Sequence, residues 1–355
     1  MPTRRHLLLA AGALPLAARA AVDYPAVTPR PLEFPRDHGA HPTYRIEWWY
    51  LTGWLDAQPP LGFQVTFFRT RTPIDPANPS RFAAHQLVIA HAAIADAAHG
   101  ALVHDQRIAR AGFGIARAAE ADTDVALDRW TLRRASDGTY ECAIPARGFA
   151  LRFRARPTQP ILLQGEAGFS RKGPKPEQAS YYYSQPQLRV DAELVRDGRR
   201  LRAGGIAWLD HEWSSTLLDP AASGWDWIGM NLDDGAALAA FQIRRNDGGP
   251  RIHAYAALRA AGHAQARIFA PDEVRFEPLA RWTSPRTRAT YLVAQRIAIG
   301  ARTFETRPLL DDQELDSRTT AGAVYWEGAS TLLESGRPVG RGYLEMTGYV
   351  APMRL

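Results

Sequence analysis

Residues 225–243 read WDWIGMNLDDGAALAAFQI, and this stretch indicates the fold class most clearly. Two runs of alternating side chains, 225–232 and 236–243, flank the turn sequence Asp233-Asp234-Gly235. Glycine tolerates the positive backbone angle that tight hairpin turns require, and alternation with a period of two is typical of β-strands. The stretch therefore predicts a β-hairpin between Trp225 and Ile243.

The same period continues through most of the chain, whereas the helical period is weak. The helical patterns at residues 116–122 and 311–316 are weak and predict at most one short helix each. Many strands joined by tight turns predict an all-β protein of barrel or sandwich type. The other predicted strands are 45–54, 63–69, 85–94, 130–134, 149–154, 188–194, 206–213, 289–299 and 341–349.

The length of 355 residues favours two domains, because a single hydrophobic core rarely grows beyond roughly 250–300 residues. The break at 218–224 (LDPAASG) is the preferred boundary, which gives domains 21–217 and 218–355. The longest irregular connection is 156–179, which is rich in proline and glycine and holds both lysines of the chain. Such a connection is usually a functional element, for example a lid, or disordered, and the sequence leaves both alternatives open.

Residues 1–20 have the features of an export signal. Arg4 and Arg5 precede an apolar run, and Ala18-Arg19-Ala20 fits a small-x-small cleavage site. The paired arginines favour the twin-arginine route over an ordinary secretory signal. We therefore expect an exported protein, periplasmic or secreted, whose mature chain begins near Ala21.

Charge and motifs argue against several classes of protein. The formal charge of +6 comes from 43 basic and 37 acidic residues without a basic run carrying interleaved aromatics, so we expect no nucleic-acid partner. The sequence has no phosphate-binding loop, dinucleotide fingerprint, Gly-x-Ser-x-Gly elbow or helical zinc-protease motif. We therefore expect neither a cofactor nor a metal. Cys142 is the one cysteine, which excludes an intramolecular disulfide.

Seven of the ten tryptophans lie in four short segments that also carry an acid. An indole offers a broad apolar wall with a negative ring face, and a carboxyl group carries protons or accepts hydrogen bonds. Packing alone does not need the acid, whose burial must be offset by hydrogen bonds. The repeated combination therefore predicts a pocket rather than a plain core. The segments are 47–50 (EWWY), 208–213 (WLDHEW), 225–227 (WDW) and 325–327 (YWE).

Asp210-His211-Glu212 is the densest titratable group and the candidate catalytic site. On an extended strand Trp208, Asp210 and Glu212 share one face, while His211 lies on the other. An apolar wall raises the pKa of a carboxyl group and keeps it protonated for general-acid catalysis. A structural alternative stays open, in which Asp210 caps a turn and His211 bonds a neighbouring backbone group.

Aromatic side chains are the candidate wall of a substrate pocket, although the indoles could equally belong to a core. For Tyr182 and Trp326 a structural role is the stronger alternative. The predicted substrate-binding residues are Trp48, Trp49, Trp208, Trp213, Trp225, Trp227, Tyr182 and Trp326.

Five segments of the chain resemble the carotenoid hydratase, or hydroxyneurosporene synthase, family. The closer similarity is to its secreted AttH-like branch of predicted hydrolases, and it covers nearly all of the mature chain. The resemblance implies two lipocalin-like β-barrel domains packed together, with an apolar ligand cavity where they meet. The segments are 45–50 (RIEWWY), 208–213, 224–228 (GWDWI), 312–315 (DQEL) and 342–349 (GYLEMTGY).

Hydratases of that family add water to an isolated double bond of a long apolar polyene. An acid protonates the alkene, and water captures the resulting cation. The resemblance implies that the aspartate of the Asp-His segment, here Asp210, donates the proton, and indole faces suit stabilisation of the cation. Because this chain has an apparent export signal and is closer to the AttH-like branch, a carotenoid substrate does not follow.

The leading hypothesis is a cofactor-free hydratase or hydrolase that acts by acid–base chemistry on an apolar, isoprenoid- or lipid-like small molecule. Asp210 would be the acid, with His211 or Glu212 tuning or relaying the proton. One alternative is a non-catalytic periplasmic carrier of a lipid or pigment, and another is a surface adhesion or assembly module. Peripheral contact with a membrane and the oligomeric state stay open.

Overall fold

The computed structural model describes residues 22–353, whose regular structure is almost entirely β-strand. Two antiparallel sheets of 13 and 10 strands are joined by irregular segments that include 3₁₀ turns at Arg36–His38 and Pro271–Glu273. Within the described range no helix has the length and apolar character needed to cross a membrane. The expected all-β architecture is confirmed, while the predicted signal at 1–20 lies outside the described residues.

The first sheet is built by the N-terminal half of the chain. Its strands are β1 (Ile46–Leu55), β2 (Leu61–Arg71), β3 (Gln86–Ala95), β4 (Val103–Arg110), β5 (Ala116–Ala118), β6 (Asp124–Leu127), β7 (Trp130–Arg134), β8 (Tyr140–Pro145), β9 (Phe149–Arg156), β10 (Leu162–Leu163), β11 (Phe169–Arg171), β12 (Ala179–Arg196) and β13 (Arg199–Ser214). Their spatial order is β4-β3-β2-β1-β13-β12-β9-β8-β7-β6-β5, and β10 and β11 also pair with β12.

The second sheet follows after a short connection. Its strands are β14 (Ala222–Leu232), β15 (Ala237–Arg245), β16 (His253–Arg259), β17 (Arg267–Phe269), β18 (Val274–Thr283), β19 (Thr290–Ile299), β20 (Arg302–Pro308), β21 (Glu314–Asp316), β22 (Val324–Glu334) and β23 (Arg337–Thr347). Their order is β17-β16-β15-β14-β23-β22-β20-β19-β18, with β21 on β22. The predicted hairpin at 225–243 is the β14–β15 pair, and Gly235 occupies its turn at a φ of 88°.

The two sheets share one strand order. In each, the first strand pairs with the second strand and also with the last, so that β1 corresponds to β14 and β13 to β23. The last strand also pairs with the strand immediately before it in the chain, so that β12 corresponds to β22. Both sheets curl until strands near their two edges approach each other, β3 and β4 near β6 and β15 and β16 near β18. The chain therefore forms two near-closed barrels.

Buried apolar side chains form one core inside each barrel and a third cluster between the barrels. Hydrogen bonds also join the barrels, for example from Trp54 Nε1 to the Gly342 carbonyl oxygen at 2.9 Å. The chain passes from one sheet to the other between Ser214 and Ala222. The predicted boundary at 217/218 lies in this connection, and the division into domains 21–217 and 218–355 stays a prediction.

Two local predictions differ from the structure. The weak helical patterns at 116–122 and 311–316 do not form helices, because Ala116–Ala118 pairs with β6 and Glu314–Asp316 pairs with β22. Cross-strand pairing outweighs the weak helical pattern in both segments. The connection at 156–179, expected to be irregular, contains the short strands β10 and β11, which pair with β12.

Candidate functional site

A cavity of about 400 Å³ lies between the two barrels. The first and last strands of each sheet supply its central walls, and β2, β3, β12, β15 and β22 add side chains around them. Most of its surface is apolar. This volume falls at the lower end of the range of roughly 300–1,000 Å³ that is usual for ligand pockets. Acidic residues in the lining are Glu47, Asp210, Glu212, Glu327 and Glu345.

Asp210 on β13 places its carboxyl group in the wall of this cavity. Trp208 Nε1 and Ser184 Oγ donate hydrogen bonds to its Oδ1 at 2.6 and 2.5 Å, and the Tyr182 hydroxyl donates to its Oδ2 at 2.6 Å. Trp227 of the second barrel donates in turn from Nε1 to the Tyr182 oxygen at 3.0 Å. Two neighbouring strands, β12 and β13, thus hold the carboxyl group in one orientation, and Trp227 on β14 of the second sheet holds Tyr182 in place.

The environment of Asp210 favours its protonated form. The pKa of Asp210 is raised to about 7, because the effect of burial, with a smaller contribution from the nearby charge on Glu212, outweighs the three hydrogen bonds, which lower it. A carboxyl group with a pKa near neutrality can both hold and release a proton there. Oδ1 accepts two hydrogen bonds and Oδ2 only one, so Oδ2 is the oxygen with room for a proton.

Glu212 lies on the same strand face and forms a buried ion pair with Lys172. The Lys172 Nζ atom is 3.0 Å from Glu212 Oε1 and 3.1 Å from Ser170 Oγ. Ser180 Oγ donates a further hydrogen bond to Glu212 Oε1 at 2.5 Å. Burial lowers the pKa of Lys172, whereas the charge of Glu212 raises it. Glu212 therefore carries the counter-charge that keeps an ammonium group inside the protein.

The opposite wall carries a pair of acids. Glu327 on β22 and Glu345 on β23 stand directly across from each other, and neither forms an ion pair within residues 22–353. Tyr50 donates from its hydroxyl to Glu327 Oε2 at 2.7 Å, and Trp225 Nε1 donates to Glu345 Oε1 at 3.2 Å. Burial raises the pKa of Glu327 well above its usual value and that of Glu345 to about 8. The pair therefore holds a proton at neutral pH.

Four predicted wall residues line the cavity, namely Trp48, Trp225, Trp227 and Tyr182. Trp208 lies behind Asp210 in the cluster between the barrels, with its ring edge-on to that of Trp227 at a centroid distance of 6.4 Å. Gly229 makes room for this contact, because a Cβ atom there would lie only 2.4 Å from the Trp227 ring.

Three other predicted wall residues do not reach the cavity, which corrects the expectation from sequence. Trp49 and Trp213 lie in the core of the first barrel, and Trp326 lies in the core of the second. Neighbouring side chains on a strand point to opposite faces, so Trp48 faces the cavity and Trp49 the barrel interior. Both faces of β1 are apolar, and the sequence pattern therefore did not show which one borders the cavity.

His211 also points into the first barrel, away from the cavity that Asp210 lines. Its Nε2 atom is 2.9 Å from Glu47 Oε1, and its ring stacks on Trp49 at a centroid distance of 4.6 Å. Burial lowers the pKa of His211, and the hydrogen bond with Glu47 raises it. The predicted catalytic role of His211 therefore lacks direct access to a ligand, because strand alternation separates it from Asp210.

His41, Glu47 and His211 bring three ligand-type atoms within 4.8 Å of one another in the first core. Glu47 Oε2 already accepts hydrogen bonds from Arg69 Nε at 2.7 Å and from the His41 backbone at 2.8 Å. Both imidazoles contact Glu47 Oε1, at 2.7 and 2.9 Å. The Arg69 guanidinium supplies the positive charge that a metal ion would otherwise supply to Glu47. His41, Glu47 and His211 therefore belong to a hydrogen-bonded ion pair in the core.

Sequence reasoning missed several side chains of the cavity. Ser184 was within reach, because it lies two residues after Tyr182 and so shares its strand face. Lys172 had a compositional signal, since the chain has only two lysines. Tyr50 and Glu345 lay in segments singled out from the sequence, but only the packing of one barrel on the other brings them to the same site as Asp210.

A family model described as AttH-like matches residues 25–349. The chain belongs to the AttH-like family. The resemblance noted in the sequence is thereby confirmed at the level of the AttH-like branch. Among curated proteins none matches this AttH-like chain.

Solved structures agree with this assignment. The crystal structure of a candidate AttH protein from Nitrosomonas europaea has a TM-score of 0.85 and 55% identity, covering 92% of this chain and 99% of that one. Kievitone hydratase from Nectria haematococca has a TM-score of 0.68 and 15% identity, covering 90% and 93%. CghA, crystallised with Sch210972, has a TM-score of 0.53 and 14% identity, covering 85% and 87%. The last two similarities show that the AttH-like chain has the lipocalin-like fold of these proteins.

Proposed function

We propose that this AttH-like protein is an enzyme that adds water to, or removes it from, an apolar small molecule by acid–base catalysis between its barrels. The proposal depends on the buried carboxyl group of Asp210 in the cavity wall. Burial raises the pKa of this group to about 7. The fold shared with kievitone hydratase adds support for the reaction class without naming the substrate.

In the hydration direction, the Asp210 carboxyl group transfers its proton to one carbon of an alkene. The π electrons form the new C–H bond, and the other carbon becomes a cation. The hydrogen bonds from Ser184, Tyr182 and Trp208 then stabilise the carboxylate that remains, since all three groups donate to its oxygens. In a hydrolase, the same acid would protonate the oxygen of a scissile ester instead.

The cation is then surrounded by electron-rich groups. Trp48, Trp225 and Trp227 line the cavity, and an indole face attracts a cation by about 0.5–2 kcal/mol. Water attacks through its oxygen, and the proton that it releases returns to Asp210. One water molecule enters, an alcohol leaves and the protein recovers its starting protonation.

Export of the chain is also a proposal. Arg4 and Arg5, the apolar run after them and the Ala18-Arg19-Ala20 site support it. An exported enzyme of this kind would meet its apolar substrate in the periplasm or outside the cell.

Asp210→Asn tests the proposed acid, because the amide keeps the size of the side chain and cannot donate the required proton. On a panel of isoprenoid alkenes and esters we expect turnover to fall about 10²–10⁴-fold, with ligand affinity changed only a few-fold. Asp191→Asn is the matched control, since Asp191 is exposed on the first barrel and pairs with Arg156 at 2.6 Å.

The outcomes separate the leading function from its alternative. Unchanged turnover in Asp210→Asn would eliminate the acid proposed here. Tight binding of panel ligands that wild-type protein never converts would instead favour the non-catalytic carrier.

A further inference from the structure

Lys172 reaches the cavity from the connection between β9 and β12. The short strand β11, residues 169–171, pairs with β12 and carries the following lysine between the barrels. Lys172 is 5% exposed and lines the cavity, whereas Lys175, the other lysine of the chain, is exposed on the same connection. Burying an ammonium group is costly, so its position inside a ligand-sized cavity requires an explanation.

The surroundings of the Lys172 ammonium group satisfy it only in part. An ammonium group has three N–H donors, and two oxygen acceptors lie near Nζ, namely Glu212 Oε1 at 3.0 Å and Ser170 Oγ at 3.1 Å. On its other sides are the ring of Tyr182 at 4.6 Å and the ring of Phe241 at 4.2 Å. Among residues 22–353 the third N–H thus has aromatic faces but no oxygen or nitrogen acceptor.

Charge restricts what can bind to this third donor. The Lys172 and Glu212 charges cancel, and burial favours the protonated forms of Glu327 and Glu345 on the facing wall. A carboxylate ligand would therefore bring an uncompensated negative charge into a mostly apolar cavity, beside Glu212, which is costly. A neutral oxygen, such as a carbonyl or a hydroxyl, accepts a hydrogen bond from Lys172 without that cost.

Tyr182 connects this donor to the proposed acid. Its ring lies beneath Lys172 Nζ, and its hydroxyl group donates to Asp210 Oδ2 at 2.6 Å. One ligand can therefore contact both groups. An oxygen held by Lys172 would fix the orientation of the apolar remainder beside Asp210 and the indoles, which is the usual function of a single polar contact in an apolar pocket.

We propose that Lys172 binds a neutral carbonyl or hydroxyl oxygen of the substrate, which makes the substrate an oxygenated apolar molecule rather than a pure hydrocarbon. This inference rests on the proposed function of the cavity. Lys172 is a binding residue in this account, and Asp210 remains the acid.

The test compares two probes that differ in one atom group. They are β-ionone and its hydrocarbon counterpart, in which a methylene group replaces the carbonyl oxygen. Quenching of tryptophan fluorescence measures the binding of each probe. Wild-type protein is expected to bind the ketone at least about tenfold more tightly, as for a hydrogen bond from a charged donor. Lys172→Met should reduce that preference to about twofold or less. Lys175→Met, a surface change in the same segment, should retain it.

Lys172→Met leaves Glu212 buried without its partner and can unfold the protein, so Lys172→Met/Glu212→Gln, which removes both charges together, is the second variant. Loss of the preference in every variant that folds supports the inference. A preference retained in either variant, or equal wild-type affinity for both probes, overturns the inference and leaves the proposed function standing. Wild-type protein that binds neither probe contradicts the inference and the proposed function together.

Discussion

The two barrels present equivalent strands to one cavity but place different chemistry on them. Glu212 stands opposite Trp48 in the first sheet, and Glu345 stands opposite Trp227 in the second. On the neighbouring strand, Glu212 faces Tyr182 whereas Glu345 faces the second acid, Glu327. Glu212 and Glu345 are therefore equivalent positions with different partners.

The consequence is electrostatic. Lys172 neutralises Glu212, so the first wall keeps a charged pair beside Asp210. Burial and neighbouring acids raise the pKa of Glu345 to about 8, so the second wall holds its proton. A shared strand order thus determines where the side chains stand, and their immediate partners determine which of them are charged.

Glutamine substitution at the two equivalent positions should have unequal effects on stability, and this is the largest effect we expect on folding. Glu212→Gln leaves the Lys172 ammonium group buried without a counter-charge, which costs about 3–5 kcal/mol. Glu345→Gln replaces a protonated acid with a neutral amide and should change the free energy of unfolding by about 1 kcal/mol or less at pH 7. Urea unfolding measures both, and equal losses would contradict the difference between the walls.

The pH dependence of stability should reveal the second wall. The pKa of Glu345 rises from 4.5 to about 8 on folding, so between these values the folded protein binds a proton that the unfolded chain has lost. The free energy of unfolding should therefore fall as pH rises through this window, by at most about 1.4 kcal/mol per pH unit. In Glu345→Gln the fall between pH 5 and pH 8.5 should be smaller by about 1–3 kcal/mol. Parallel curves for the two proteins would show that Glu345 ionises normally.

His211→Gln should have the smallest effect on catalysis. Its side chain bonds Glu47 in the first core, so the variant should lose about 1–3 kcal/mol of stability. Turnover of an accepted substrate should change less than about threefold, because proton transfer belongs to Asp210, and the pH optimum should stay in place. A loss comparable to that of Asp210→Asn, measured on folded protein, would restore His211 as a proton relay.

Strand periodicity accounted for most of the fold and for the local geometry of the site. The period of two placed Trp208, Asp210 and Glu212 on one face and His211 on the other, which is the arrangement in the structure. The hairpin at 225–243 followed from its turn sequence in the same way. These features depend on neighbours in sequence, and so they could be predicted from the sequence.

Features that depend on contacts between residues distant in sequence could not be predicted from the sequence. Glu327 faces Glu345 and accepts from Tyr50, which is 277 residues away in sequence. The assignment of Trp49 to the cavity failed because both faces of β1 are apolar. Lys172 lay in a segment without strand periodicity, where no pattern indicated which way a side chain points.

The proposed reaction requires Asp210 to be a protonated acid in the cavity near neutral pH. Infrared difference spectra of the protonated carboxyl C=O stretch, recorded from pH 5 to pH 9 for wild-type protein and Asp210→Asn, test it directly. We predict a band that is absent from the variant and titrates in wild-type protein at about pH 7. If the wild-type and variant spectra are identical over this range, Asp210 is already ionised at pH 5 and is not the proton donor.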